Sequence, residues 1–212
     1  MQKHSILWIA LIAVCILGLP AISSPKDIMN RVIRELGMIE QVLGKAETTR
    51  VTTSATAIYN ALFVETGVVG ATNKAMVTEE EKLHSEAMFG QSVRGISDRT
   101  NDYLLGFSAL CFASLVRIVI FMAWLPYIAP FFIAAILDAA VSRRIKFSSF
   151  GYSSPIKFSV ASHMLIVIVF LPILYLVIPL PVTPLFIPFW ALTSAVPVMT
   201  VISNTQRGHD SR

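Results

Sequence analysis

Four apolar runs, separated by one long polar stretch and two shorter breaks, organise this chain. The first is Ile6 to Ile22, behind the basic start Met1-Gln2-Lys3-His4. Its 17 residues reach the lower limit of a membrane-crossing helix. It reads either as an anchor helix, the preferred reading, or as a signal peptide: Pro20 ends the hydrophobic region and Ala21-Ile22-Ser23 resembles a small-x-small cleavage site. The second run, Tyr103 to Val141, has 39 residues and only Arg117 and Asp138 charged. That is about twice the length one crossing needs, so it is either a hairpin turning at Leu125-Pro126 or one long helix with kinks at Pro126 and Pro130. The third and fourth runs, Ser162 to Ile178 and Leu185 to Ile202, are joined by Pro179-Leu-Pro-Val-Thr-Pro184, whose three prolines predict a turn and an antiparallel helical hairpin.

Between the first two runs the period changes to that of amphipathic helices. Ser24-Pro25-Lys26-Asp27 reads as an N-cap, a proline at the first helical position and an acid at the third. Ile28, Val32, Leu36, Ile39 and Leu43 continue it at three-or-four spacing, widened by Met29 and Ile33, to a stop at Gly44. Thr52 to Val64 predicts a second helix with Ile58, Leu62 and Phe63 on one side, broken by Gly67-Val-Val-Gly70. Thr78-Glu79-Glu80-Glu81 is a capping box, predicting a third helix that continues past Tyr103 into the long run. The predicted class is all-α: an integral membrane protein of about four spanning helices with a small helical extramembrane segment.

Composition sharpens that picture. Of 212 residues, 55% are apolar and 14% charged, too little charge to cover a water-soluble globule of this size. Residues 23–102 carry 20 charges in 80 positions, nine basic and eleven acidic. With no net basic face, no direct contact with nucleic acid is expected. Residues 103–202 carry only six: Arg117, Asp138, Arg143, Arg144, Lys146 and Lys157. Four of them, Arg143 to Lys157, form a basic loop at 142–160, which the positive-inside rule assigns to the cytoplasm. A cytoplasmic amino terminus then requires an even number of crossings before this loop, which favours a single crossing for the long run; the rival is a five-span arrangement with the amino terminus outside. The resulting division is an anchor at 1–23, a periplasmic helical segment at 24–102, a membrane unit at 103–206 and a cytoplasmic tail at 207–212, with both termini inside.

The search for chemistry is short. Cys15 and Cys111 fall in apolar runs and give no disulfide framework. His4, His84, His163 and His209 form no metal pair at helical spacing, and Glu81-Lys-Leu-His84 has no further carboxylates beside it. There is no phosphate-binding glycine loop and no nucleophile turn. No enzymatic activity, metal, cofactor or small-molecule substrate is expected. An ionisable group at membrane depth is costly to bury and so invites a functional reading. Arg117 is either a polar contact with a helix or partner, or a snorkelling structural residue. Asp138, shortly before Arg143 and Arg144, reads as an interfacial acid balanced by those arginines, in preference to a proton relay.

From Asn101 to Arg207 the order of features resembles the integrating conjugative element membrane protein family, which includes the TraJ-like inner-membrane proteins of conjugative plasmids. The resemblance rests on Asp102-Tyr103-Leu104-Leu105, Leu115-Val116-Arg117, Leu125-Pro126, Leu137-Asp138 with Arg143-Arg144, Phe150-Gly151, Leu171-Pro172 and Leu180-Pro-Val-Thr-Pro-Leu185. Tyr59-Asn-Ala-Leu-Phe-Val-Glu-Thr-Gly67 adds a weaker element. It implies a bacterial inner-membrane component of conjugative DNA transfer, acting with a type IV secretion channel and its coupling ATPase. On this reading the partners are membrane lipids and a coupling protein or another transfer subunit, Arg117 and Asp138 are candidate interaction residues, and the loop carrying Arg143, Arg144, Lys146 and Lys157 faces the partner or anionic lipid. A small transporter or channel, and a general membrane scaffold, are the alternative classes.

Overall fold

The computed structural model describes residues 2–149, 152, 154–178 and 180–205, and among these it is all helix with no strand. The Phe150-Gly151 loop, Pro179 and the tail from Arg207 lie outside the described residues. Helix α1 spans Gln2–Ile22 and α2 spans Pro25–Leu43. Ser24 caps α2 as expected: its hydroxyl accepts from the Asp27 N–H at 3.2 Å, with Pro25 in the first turn. Gly44 ends it at φ 86°, a conformation only glycine takes without strain, and α3 (Lys45–Tyr59) starts at once. The second polar helix therefore begins seven residues earlier than the apolar pattern suggests. Its buried face is narrow, only Val51 and Ala55, and Thr48, Thr49 and Thr52 each satisfy their hydroxyl on the carbonyl four residues back, so these threonines leave no unpaired side-chain donor in the helix.

A π-helical turn, Asn60–Val64, follows α3, closed by the Glu65 N–H on the Asn60 carbonyl at 2.9 Å. Gly67 then breaks the chain, but Val68–Ala75 forms a further short helix, α4, rather than a loop. Helix α5 (Glu79–Phe89) carries the complete capping box, with Thr78 and Glu81 bonding to each other's backbone N–H. The expected continuous helix from Glu79 into the long run does not occur. Gly90, at φ 82°, ends α5, and α6 (Gln91–Ser148) is a separate helix of 58 residues. Lys82 joins the two, bonding Glu79 on its own helix and Asp98 on α6, each at 2.7 Å. Arg94 of α6 reaches Glu86 at 2.8 Å, and Asn101 grips both backbone groups of Val77.

Helix α6 runs through Pro126 and Pro130 without a break. Helices α7 (Pro155–Val177) and α8 (Phe186–Asn204) complete the chain. Among the described residues four helices, α1, α6, α7 and α8, are long and apolar enough to cross a membrane.

The chain forms two compact units. One holds Ile9–Ile120 and Leu174–Pro184; the other takes the first turns of α1 to Trp8, Phe121–Ile173, and the chain from Leu185 onward. The boundary falls inside α6 rather than at the polar-to-apolar change near residue 102. In the first unit, Ile28, Val32, Ile39, Val51, Ala55, Leu110, Val116 and Ile120 form the buried apolar core. Pro20 packs closely on Gly106, where an added Cβ would stand 3.3 Å from the Pro20 carbonyl oxygen. In the second unit, Trp190 of α8 lies between Phe121 and Phe132 of α6, with ring centroids 5.7 and 6.1 Å away. Its indole N–H donates to the Ile168 carbonyl at 3.0 Å. That carbonyl is four residues before Pro172, which has no N–H to return to it, so Trp190 satisfies the acceptor that Pro172 leaves open.

Candidate functional site

Within the first unit, Arg117 of α6 is 1% exposed and Glu35 of α2 is 2% exposed. The guanidinium meets the carboxylate along its edge. Nε donates to both oxygens at 3.1 and 3.0 Å, and Nη2 to one of them at 2.8 Å. The Tyr175 hydroxyl donates to the same carboxylate at 3.2 Å, and the Tyr175 ring centroid lies 5.1 Å from the guanidinium carbon.

The rest of the guanidinium faces backbone at the end of α7. Nη1 donates to the carbonyls of Tyr175, at 2.7 Å, and Ile178, and Nη2 to that of Leu180 at 2.6 Å. Carbonyls in the last turn of a helix have no intrahelical partner, and a cation there also opposes the negative end of the helix dipole. Ser114, one turn before Arg117, donates to the Leu176 carbonyl at 2.9 Å. Arg117 therefore closes α7, neutralises Glu35 and holds α2 to α6 and α7 at one point.

Glu35 drew no attention in the sequence because it reads as one charge of a solvated face. The signal was nevertheless present: Ile28, Val32, Glu35 and Ile39 follow 4-3-4 spacing, and these four are the buried face of α2. The role of Tyr175 had no comparable signal, being one aromatic residue in an apolar run.

The remaining charges of the apolar half lie in the second unit and are not gathered into one site. Asp138 is exposed and makes no ion pair among the described residues, with Arg143 or Arg144 or otherwise. Arg143 stacks its guanidinium 5.3 Å from the Phe147 ring. Lys146 donates to the Ser203 carbonyl at 3.2 Å and the Asn204 amide oxygen at 3.3 Å, capping the end of α8. Asn204, unmarked by the sequence pattern, also accepts from the Ser154 N–H at 3.3 Å, and so fixes the start of α7 against the end of α8. Arg144 and Lys157 are exposed. His4 and His163 approach edge to face at 5.6 Å, and no group of three metal-ligating side chains occurs among the described residues.

The fold and this site define an all-α protein with four helices long enough for a membrane, tied internally by a buried, fully hydrogen-bonded ion pair. The chain belongs to the DtrJ-like family, described as IncC plasmid conjugative DNA transfer protein DtrJ-like, whose model matches residues 30–208. The match includes Glu35, Arg117 and Tyr175, and it agrees with the conjugative-element resemblance seen in the sequence. No curated protein and no solved structure matches the chain.

Proposed function

We propose that this protein is a non-enzymatic subunit of the bacterial inner membrane that assists the coupling ATPase of a type IV secretion system during conjugative DNA transfer. The observation that carries this reading is the family match over residues 30–208, which gives a role in conjugative transfer. The membrane part is supported by the four apolar helices and by basic residues that fall not on a loop, as expected for 142–160, but on the last turns of α6 (Arg143, Arg144, Lys146) and the first turn of α7 (Lys157), which favours a cytoplasmic position for that end of the two helices. In this arrangement both termini are cytoplasmic and residues 24–102 periplasmic. Arg117 is engaged within its own chain, so the side chains available to a partner are the exposed Asp138, Arg144 and Lys157.

The test combines cross-linking in conjugating cells, recovery of the protein, and transfer frequency in a deletion strain. Recovery of the coupling ATPase with loss of transfer supports the proposal. Normal transfer in the deletion strain, with no transfer subunit recovered, would overturn it. A Lys157→Cys variant tests the topology: an impermeant thiol reagent added to intact spheroplasts should leave it unlabelled, and labelling would reverse the orientation.

A further inference from the structure

Away from the ion pair, the first unit carries a groove of about 480 Å³ between the start of α2, the end of α3 and α6. Its walls are Met29, Leu105, Ala109, Phe112 and the ring of Tyr59, which stands edge-on to Phe112 at 5.7 Å. The Tyr59 hydroxyl is bonded to Ser108, so the tyrosine, the chief polar side chain of the wall, is already satisfied. A lining of this kind suits hydrocarbon rather than a polar ligand, and the volume is that of an ordinary ligand site. Met29 and Leu105 remain substantially exposed, so the groove is open to its surroundings.

Among the lining residues one is charged: Lys26, exposed and without an ion pair among the described residues. Its neighbour Asp27 is bonded to Ser24. The groove also stands where apolar runs end and begin. Helix α1 finishes at Ile22, just before Pro25 in the lining, and Leu105 to Phe112 open the long run of α6. An apolar slot beside a free ammonium group, where spanning helices meet polar sequence, matches one ligand chemistry.

We propose that this groove holds an acyl chain of an anionic phospholipid, with Lys26 on the headgroup phosphate. The lysine stem lies along the apolar wall while its ammonium group stays with the charge. One such cation near an anionic headgroup gives a preference of about fivefold over a zwitterionic lipid.

The full chain, purified in mild detergent, is mixed with equal amounts of phosphatidylglycerol and phosphatidylcholine, and retained lipid is measured by native mass spectrometry. The acyl chain of the phosphatidylglycerol carries a photoreactive group, so that its site is mapped by peptide. The expected result is retention favouring phosphatidylglycerol about fivefold, with cross-links to the peptides containing Met29 or Phe112. Lys26→Glu should abolish the preference and keep those cross-links, and Ala109→Trp, which fills the groove, should remove them. Equal retention of the two lipids by the unmodified chain, an unchanged preference in Lys26→Glu, or cross-links mapping only elsewhere overturns the proposal. Cross-links replaced by a co-purifying protein helix in the groove would also overturn it. Lys26 is exposed, so Lys26→Glu still discriminates between these outcomes if Ala109→Trp fails to fold.

Discussion

Removing Arg117 should be worse than removing Glu35, and removing both should be better than removing Arg117 alone. In Glu35→Leu the guanidinium keeps the carbonyls of Tyr175, Ile178 and Leu180 but loses its counter-charge. Breaking a buried pair from one side costs about 3–5 kcal/mol. In Arg117→Met the same electrostatic loss falls on Glu35, whose remaining side-chain partner is the Tyr175 hydroxyl at 3.2 Å. The carbonyls of Tyr175, Ile178 and Leu180 also lose a charged donor, a bond of that kind being worth roughly 1.5–3 kcal/mol, although the Ile178 carbonyl keeps the Leu180 N–H at 2.8 Å and Leu180 is exposed. The sum is comparable with the whole stability of a typical domain, about 5–15 kcal/mol, so Arg117→Met should fold poorly or not at all. In the double variant no buried charge remains, and only the carbonyl loss persists. Its stability should lie between wild type and Arg117→Met. The assay is SDS-titration unfolding of the purified chain in detergent micelles, followed by helical circular dichroism and checked for reversibility. Additive losses in the double variant, or a Glu35→Leu loss within about 0.5 kcal/mol of zero, would refute the reasoning, since residues in one buried network should couple.

Further outcomes are expected at three places in the fold, the Gly106 contact, the Trp190 bond and the capped start of α5. Gly106→Ala should be near neutral, because the helix-propensity gain of up to about 1 kcal/mol offsets the crowding of a Cβ at 3.3 Å from the Pro20 carbonyl, whereas Gly106→Leu should lose about 1–3 kcal/mol in the same unfolding assay. Trp190→Phe keeps most of the ring but removes the donor to Ile168, and should cost about 1–3 kcal/mol; an unchanged midpoint would mean that the open carbonyl finds another partner. Thr78→Ala should destabilise α5 by about 1 kcal/mol, read as faster amide exchange in its first turn. Glu81 of the same box is held below its ordinary value of 4.5 by its bonds to the Thr78 backbone and hydroxyl. The stabilisation is therefore complete above pH 4.5 and fades as pH falls through the lowered value; amide protection in α5 independent of pH across that window would contradict it. Lys82 is raised above 10.5 by Asp98 and Glu79, so its contribution is present below that pH and is lost only at more alkaline pH.

The local pattern determined a good deal. Apolar runs of sufficient length dictated four long helices, and the boxes at Ser24 and Thr78 set two helix starts, because caps and hydrophobic period act over a few residues. Gly44 was legible as a stop for the same reason. Less legible was that Gly90, unremarkable between two helix-forming stretches, would adopt positive φ and separate α5 from α6. The early start of α3 was hidden too, since Lys45-Ala-Glu-Thr-Thr-Arg50 carries no hydrophobic stripe.

The centre of the candidate site was decided by tertiary structure. Arg117 stood out because a lone charge in an apolar run is conspicuous, but its partner lies 82 positions away in sequence. Glu35 is one of eleven acids in the polar segment, and its spacing with Ile28, Val32 and Ile39 distinguishes it only once that face is known to be buried. Pattern alone treated residues 24–102 as a segment apart from the long run. The structure instead brings α2 against α6 twice, at the groove lined by Pro25, Met29 and Leu105, and at Glu35 with Arg117. Part of the excess length of that run therefore meets an amphipathic helix of the same chain. The physical reason is that an apolar residue carries its preference for burial with it, whereas a charge can be buried only where a particular partner and the free carbonyls of another helix are waiting.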